Sequence, residues 1–171
     1  MYVLAAALVC LVSTTSAKAD VIDLTWVEQN GTGTLPFTID AGPLTFTIPS
    51  GQSIVSAVFT STLGNSTVPN TAVMNVFVNS VLVGTCAEGD PVCANSTSPI
   101  PFTYTFTAAD LLTLAGGVAD LTITQTDCCV IRLGASELVI TTAPTAAPEP
   151  GTLALMGFGL LGLAAVKLSK R

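Results

Sequence analysis

The chain has 171 residues, of which half are hydrophobic and only 9% are charged, with no histidine and a net charge of -6. This length allows one domain of ordinary size once terminal segments are set aside. The lack of histidine excludes Ser/His/Asp and Cys/His nucleophiles and histidine metal sites. We therefore expect neither an enzyme nor a bound metal or cofactor, although a glycosidase with two carboxylates remains formally open.

The basic residues are concentrated at the two ends of the chain. Arg132 is the only base between Lys18 and the three bases of the C-terminal tail. Since binding of phosphate backbones depends on clustered lysine and arginine, this acidic middle segment excludes nucleic acid as a partner.

Residues 1–19 have the pattern of a secretory signal peptide. The apolar run from Val3 to Val12 is followed by small residues at Ala17 and Ala19. The signal peptidase accepts small side chains at these two positions, so we expect a cut after Ala19. Asp20 would then open the mature, exported chain.

Residues 20–142 predict an all-β domain, an antiparallel, jelly-roll-like β-sandwich of about eight to ten short strands with one short helix. Phe102, Tyr104 and Phe106 alternate with threonine, which gives a strand one buried face and one hydroxyl-lined face. Similar runs, rich in Val, Ile, Thr and Phe, recur between Gly, Pro, Asn and Ser clusters. They are VIDLTWV, TLPFTI, LTFTI, SIVSAVFT, AVMNVFVN, VLVG, PFTYTFT, ADLTITQT, CVIRL and ELVITT.

Two local signals inside this domain are specific. Asn79 and Ser80 lie between apolar runs and predict a two-residue hairpin turn, because asparagine tolerates positive φ. Thr107 predicts a helix N-cap with Asp110 at the third helical position. Gly116 and the glycine after it would end that helix after about two turns.

Four cysteines remain after signal removal, an even number in an exported chain, which favours disulfide bonds. Three pairings are open, and we favour Cys86 with Cys93, which closes a short polar loop. Cys128 and Cys129 are adjacent, so on a strand they would point to opposite faces. They form either a strained vicinal pair or free thiols.

The C-terminal part has three sections. Residues 143–151 form a proline-rich linker with the motif Pro148, Glu149 and Pro150. Residues 152–166 predict an apolar helix of about 23 Å, short of the roughly 30 Å hydrocarbon thickness of the membrane it would cross. Residues 167–171, with Lys167, Lys170 and Arg171, would hold the tail in the cytoplasm.

The Pro-Glu-Pro motif, the segment GTLALMGFGLLGLAAV and the tail KLSKR together resemble the PEP-CTERM sorting signal. The resemblance implies recognition by an exosortase, a membrane protease or transpeptidase that removes the helix near the motif. The chain would be anchored transiently in the inner membrane and then reach the cell surface or matrix. The middle segment is also similar to β-sandwich ectodomains of PEP-CTERM proteins.

Two roles for the domain follow from this reading. The first is a structural or adhesive protein of the cell surface or of a biofilm or floc matrix. The alternative is a carbohydrate-binding module for the cell's own exopolysaccharide, in which Trp26 or Tyr104 would stack on sugar rings. Packing of these two rings in the core is the competing interpretation.

Overall fold

The computed structural model describes residues 18–30, 36–65, 73–86, 100–126 and 131–145, together with Gly157 and Gly159. The chain divides into two compact units, one comprising residues 18–144 and the other residues 1–17 with 145–171. The first unit, called the β domain below, contains all the strands of the described residues.

The β domain contains one short helix and strands of very different lengths. In chain order they are β1 (Asp20–Trp26), β2 (Gln29–Asn30), β3 (Phe37–Thr45), β4 (Gln52–Asn65), β5 (Met74–Val78), β6 (Val81–Cys86), β7 (Ile100–Thr105), α1 (Ala108–Leu114), β8 (Val118–Gln125), β9 (Ile131–Leu133) and β10 (Ser136–Pro144).

The strands form two antiparallel sheets. The larger sheet has the order β1-β10-β4-β9-β2, with β7 also paired to β4, and the smaller sheet has the order β3-β8-β5-β6. If the short β2 and β9 are set aside, eight strands remain. The larger sheet then contains β1, β10, β4 and β7, which are the first, eighth, third and sixth of these eight. The smaller sheet contains β3, β8, β5 and β6, which are the second, seventh, fourth and fifth. This is the strand order of a double-sheet jelly roll.

Both sheets contribute to a single hydrophobic core. Alternation along each strand turns every second side chain inward. The fully buried members include Phe59, Leu63, Leu138 and Ile140 from the larger sheet and Val76, Val78, Leu121 and Ile123 from the smaller one. The predicted antiparallel all-β domain with one short helix is confirmed. The predicted signal helix lies outside the described residues, as does the transmembrane helix except for Gly157 and Gly159.

The structure differs from the prediction within β3. The runs TLPFTI and LTFTI were expected to be two strands, but one strand passes through Gly42 and Pro43, with an irregular register between Asp40 and Pro43. Gly42 has φ 87°, and its N–H donates to Oδ1 of Asp40 at 2.8 Å. The strand therefore bulges and continues instead of ending.

The last strand is also longer than expected. The prediction placed a linker from residue 143, yet Ala143 pairs with Ser53 and Pro144 with Gln52 on β4. On the other side of β10, β1 begins at Asp20, opposite Thr142. Proline has no N–H to donate to a neighbouring strand. Because no β1 residue lies opposite Pro144, no hydrogen bond between β10 and β1 is lost there. The two-residue β2 was not predicted, since so short a segment has no periodicity.

The predicted turn and helix cap are both confirmed. Asn79 and Ser80 have φ of 47° and 69° between the paired residues Val78 and Val81, as a primed two-residue turn requires. At the start of α1, the Thr107 side chain accepts from the Asp110 N–H at 3.3 Å, and the Asp110 carboxylate accepts from the Thr107 N–H at 2.9 Å. These reciprocal bonds form a capping box.

The turn after α1 provides a stability test. Gly117 has φ 72°, and a Cβ atom there would lie 2.6 Å from the Phe46 backbone oxygen, whereas a Cβ at Gly116 would meet nothing within 4 Å. Gly117→Ala should lower the free energy of unfolding by about 2 kcal/mol or more. Gly116→Ala should be neutral or stabilise by about 0.5 kcal/mol. Thermal unfolding of the two variants checks this, and equal stabilities would contradict the described backbone.

Candidate functional site

The two ends of the β domain leave from the same end of the larger sheet. β1 and β10 are neighbours and antiparallel, so the first residue of β1, Asp20, pairs with Thr142 near the end of β10. Pro144, the last residue of β10, pairs with Gln52, the first residue of β4. The site of predicted signal cleavage and the start of the predicted sorting segment are therefore attached at one end of the domain, called the terminal end below.

Polar side chains fix the chain at the terminal end. The Gln52 side-chain amide donates to the Asp20 carboxylate at 2.8 Å and to the Lys18 carbonyl at 3.2 Å. The Thr142 hydroxyl lies 3.3 Å from the Asp20 carbonyl and also hydrogen-bonds the Gln52 side-chain oxygen. A cut after Ala19 would leave Asp20 as the first residue of the ladder.

Most of the predicted sorting residues lie beyond the described part of the chain. These are Ala17 of the signal cleavage site, Pro148, Glu149 and Pro150 of the motif, and Lys167, Lys170 and Arg171 of the tail. In sequence, the motif begins four residues after Pro144. Gly157 and Gly159 are helical and exposed. Among the described residues, no helix has the length and apolar character needed to cross a bilayer.

The cysteines remain partly untested. Cys86 is fully buried at the end of β6 and is disulfide-bonded. Cys93, Cys128 and Cys129 lie outside the described residues. The pairing of Cys86 with Cys93, and the state of the adjacent cysteines, therefore stay predictions.

Both aromatic rings considered as sugar platforms are engaged inside the domain. Trp26 is 4% exposed, packs against Phe59 at a ring distance of 6.4 Å and donates its indole N–H to the Gly42 carbonyl at 3.1 Å. The partly buried Tyr104 ring stacks edge-on against Phe106, and its hydroxyl donates to Asp110 at 2.9 Å. Neither ring is displayed as a flat platform for a sugar.

Asp110 links this tyrosine to the helix cap. Its carboxylate accepts hydrogen bonds from the Thr107 hydroxyl at 2.7 Å, the Thr107 N–H and the Tyr104 hydroxyl. The bonds from Thr107, and then that from Tyr104, hold the pKa of Asp110 below its usual range. The same hydrogen bond to Asp110, followed by burial and the negative charge, raises the pKa of Tyr104. These hydrogen bonds therefore stabilise the start of α1.

A depression of about 380 Å³ lies on the outer face of the smaller sheet. It is lined by Phe77, Asn79, Ser80, Asp120 and Thr122. Phe77 and Thr122 point outward because they alternate with the buried residues of β5 and β8. The wall therefore combines an aromatic ring, a carboxyl, an amide and hydroxyls. Within the described ranges, no group of three or more His, Cys, Asp or Glu side chains is placed to hold a metal ion.

Asn79 joins three elements at this depression. Its side-chain amide donates to the carbonyls of Thr113 at 2.9 Å and Val118 at 2.6 Å. Its side-chain oxygen accepts from the Asp120 N–H at 2.8 Å, and its own N–H donates to the Asp120 carbonyl at 3.0 Å. The β5–β6 turn is thereby attached to the end of α1 and the start of β8. The sequence indicated the turn but not these long-range bonds.

On the neighbouring strand β3, Asp40 lies opposite Thr122, two residues along β8 from Asp120. Burial and then the negative charge of Asp40 raise the pKa of Asp120. From sequence, Asp40 and Asp120 are only two of the acids of the middle segment. Their outward positions on alternating strands could have been inferred, but the register that joins residues so distant in the chain could not.

Comparison with known proteins identifies the C-terminal segment. Residues 146–171 match the model of the PEP-CTERM protein-sorting motif. The match indicates an exported protein that is anchored transiently in the membrane and processed by an exosortase. No curated protein matches the chain.

Several structures of infectious bursal disease virus are similar to the chain. The Gx strain structure has 12% identity and a TM-score of 0.44, with 80% of this chain and 34% of that chain covered. The VP2 subviral particle has 11% identity and a TM-score of 0.42, with 77% and 38% covered. The chain thus spans little more than a third of either viral protein, and similarity at this level assigns it no function.

The role of Asn79 can be separated from its backbone conformation. Asn79→Gly keeps the positive φ but removes three side-chain hydrogen bonds, so it should lower the free energy of unfolding by about 2 kcal/mol. Ser80→Gly, at the adjacent positive-φ position, should be neutral or slightly stabilising. Chemical denaturation of both variants checks this. If the Asn79→Gly variant were as stable as the wild-type protein, the three bonds would contribute nothing.

Proposed function

We propose, from the premise that this chain is a PEP-CTERM protein with its sorting motif at residues 146–171, that its β domain is a structural or adhesive component of the cell surface or the extracellular matrix. In this proposal the C-terminal segment directs the sorting of the protein, and the β domain is the cargo, that is, the part that is delivered. The domain acts by its surface and its stability, and not as a catalyst.

The observation that carries this proposal is the common position of the two ends of the β domain. Asp20 and Pro144 both lie at the terminal end of the larger sheet. A domain held through residues 145–171 is therefore tethered at that end during export. Once the sorting segment has been processed, no strand of the domain has to rearrange, because the ladder is complete at Pro144.

The opposite end of the domain is the end presented to the surroundings. Leu63 near the end of β4 pairs with Ile100 at the start of β7, while Met74 at the start of β5 pairs with Cys86 and Gln125 at the ends of β6 and β8. Strands β4, β6 and β8 consequently end, and β5 and β7 begin, at the end away from Asp20 and Pro144. We propose that contacts with neighbouring matrix molecules are made from this end and from the outer face of the larger sheet.

The outer face of the larger sheet has a composition suited to a hydrated matrix. Thr25, Glu137, Thr60 and Thr103 lie opposite one another in a row across β1, β10, β4 and β7, called the hydroxyl row below. Hydroxyl and carboxylate groups keep water and hydrogen-bond sugar hydroxyls. Ten acidic residues against one basic residue between Asp20 and Pro144 keep such domains apart from one another in solution. Adhesion through many weak polar contacts is consistent with this surface.

The alternative role, a carbohydrate-binding module for the cell's own exopolysaccharide, has less support. It required Trp26 or Tyr104 to be displayed in a groove, and both rings are packed within the domain. Binding to exopolysaccharide through the hydroxyl row stays a proposal within the adhesive role.

The sorting part of the proposal is tested by comparing cells with and without an exosortase. In the presence of the enzyme, the surface protein should have lost the mass of the apolar helix and basic tail. Replacement of Pro148, Glu149 and Pro150 by alanine should leave the tail attached and the protein in the membrane, whereas Ala147→Ser should be processed normally. Mass spectrometry of the membrane and surface fractions gives the readout. An intact C-terminal helix in both strains would overturn the sorting proposal.

The adhesive part is tested on the hydroxyl row. Thr60→Val and Thr103→Val together keep the size and strand propensity of these side chains but remove two hydroxyls. The double variant should be retained less by the cells' own matrix than the wild-type protein, measured by co-sedimentation. Thr122→Val with Thr124→Val makes the same change on the other sheet and should leave retention unaltered. Equal retention of all three proteins would argue against the hydroxyl row as an adhesive surface.

A further inference from the structure

The outer face of the smaller sheet carries an aromatic ring beside polar side chains. Phe77 on β5 lies opposite Thr122 on β8 and opposite Leu82 on β6. Phe77 and Thr122 alternate with buried residues along their strands, and Leu82 is 47% exposed, so all three belong to the outer face. Phe77 and Leu82 thus form an apolar strip at the depression of about 380 Å³ that Phe77 lines.

The strands on both sides of this strip are irregular at the same level of the sheet. On β6 the register shifts opposite Phe77, where Val83 is an extra residue. On β3 it shifts between Asp40 and Pro43, opposite the segment of β8 that contains Asp120. A bulge bends its strand and increases the local twist, which changes the direction of the neighbouring side chains. The sheet is therefore bent on either side of β8 and β5, where the depression lies.

Asp120 provides the depression with a hydrogen-bond acceptor that lacks a donor. Its Oδ1 atom is buried and has no hydrogen-bond partner among the described residues. The backbone of Asp120 is fixed, since its N–H and its carbonyl are both bound to Asn79. A buried acceptor without a donor is unfavourable. A ligand that donates a hydrogen bond to this carboxyl would therefore make a contact that the free protein lacks.

Asn79 holds the wall of the depression in place. Its side-chain amide donates to one carbonyl of α1 at 2.9 Å and one of β8 at 2.6 Å, and its side-chain oxygen accepts from the Asp120 N–H at 2.8 Å. Because these bonds already order the wall, a ligand would cost little further ordering. The groups left for a ligand are the Phe77 ring, the Asp120 carboxyl and the hydroxyls of Ser80 and Thr122.

The charges around the depression disfavour anionic ligands. The described bases are Lys18, near the start of β1, and Arg132, which pairs with Glu28 at 2.9 Å. Neither base lines the depression, so a phosphate or sulfate group would meet the Asp120 carboxyl without a cation to bind it. The lining suits a neutral molecule with an apolar face and several hydroxyl groups.

We propose that this depression binds one pyranose ring of a neutral saccharide. The C–H face of the sugar would pack on Phe77 and Leu82, while sugar hydroxyls would donate to Asp120 and bond the hydroxyl of Ser80. Sites for small molecules combine an apolar wall with a few placed polar groups in about 300–1,000 Å³. The volume of about 380 Å³ is at the low end of that range and suits a single ring.

This site is separate from the surfaces proposed to hold the domain in the matrix. It lies on the smaller sheet, whereas the hydroxyl row lies on the larger one. One sugar ring in so open a site would bind weakly and reversibly, and we expect it to add nothing measurable to retention. The saccharide site and the adhesive role can therefore fail independently.

The test uses the full chain in a polyoxyethylene detergent, which has no sugar headgroup. The probes are the methyl glycosides of glucose, galactose, mannose and N-acetylglucosamine, and saturation-transfer NMR should show transfer to the ring C–H protons of at least one of them. Phe77→Leu keeps an apolar residue but removes the aromatic face, so the transfer should fall several-fold. Asp120→Leu removes the acceptor and should weaken binding about tenfold.

Asp23→Leu provides the matched control, because Asp23 is an exposed acid on β1. That variant should show the wild-type transfer. Thermal unfolding shows which variants are folded, and Phe77→Leu tests the site even if Asp120→Leu fails to fold. The proposal would be overturned by a wild-type protein without transfer to any glycoside, by undiminished transfer in the Phe77→Leu variant, or by transfer to tetramethylammonium instead of the sugars. Retention by the matrix is not measured here, so these outcomes do not bear on the hydroxyl row.

Discussion

The pairing of β10 between β1 and β4 is the constraint on which the rest of the β domain depends. It places the first and last strands side by side and buries Leu138 and Ile140 in the shared core. A slip by one residue would turn these inward side chains to the solvent, so the register is fixed by burial. Between Thr141 and Thr142 the register shifts, with Val55 as the extra residue on β4. This bulge lets β10 continue to Pro144 along the twisted sheet.

The same pairing separates the segments that direct export and sorting from the domain that is delivered. Because both ends of the β domain, Asp20 and Pro144, lie at the terminal end, segments can be removed there without loss of a core residue. The core is formed by residues from Trp26 to Ile140, whereas the sorting motif occupies residues 146–171. The β domain can therefore keep one structure before and after processing. In our proposal, the outer face of its larger sheet, rich in hydroxyl groups, is the surface that contacts the matrix.

Local features of this fold could be predicted from sequence because short-range chemistry determines them. The capping box of Thr107 and Asp110, the turn at Asn79 and the alternation around Tyr104 each depend on residues a few positions apart. Features that depend on pairing between distant strands could not be predicted. The bulge at Gly42 looked like a break between two strands, because a glycine followed by proline ends most strands. Only the contact of Asp40 with β8 shows why the strand continues.

The candidate sites divide along the same line. The sorting motif was recognised because its information is contiguous in sequence, whereas the Asn79 hydrogen bonds join residues about 40 positions apart. Trp26 shows a different limit, because the sequence identifies the residue but does not determine its role. By sequence, a single tryptophan near the start of a domain fits a sugar platform or, as favoured, a core anchor, and the bond to Gly42 and the packing on Phe59 place it in the core.

The central claim is that the residues that direct sorting all follow Pro144, the last residue of β10, and that the β domain is the cargo. The most direct measurement is to attach residues 145–171 to an unrelated exported domain and to follow its location and mass in cells that contain an exosortase. The account predicts that the unrelated domain reaches the surface without the apolar helix and basic tail. Retention of the intact fusion in the membrane, under conditions in which the natural chain is processed, would contradict it.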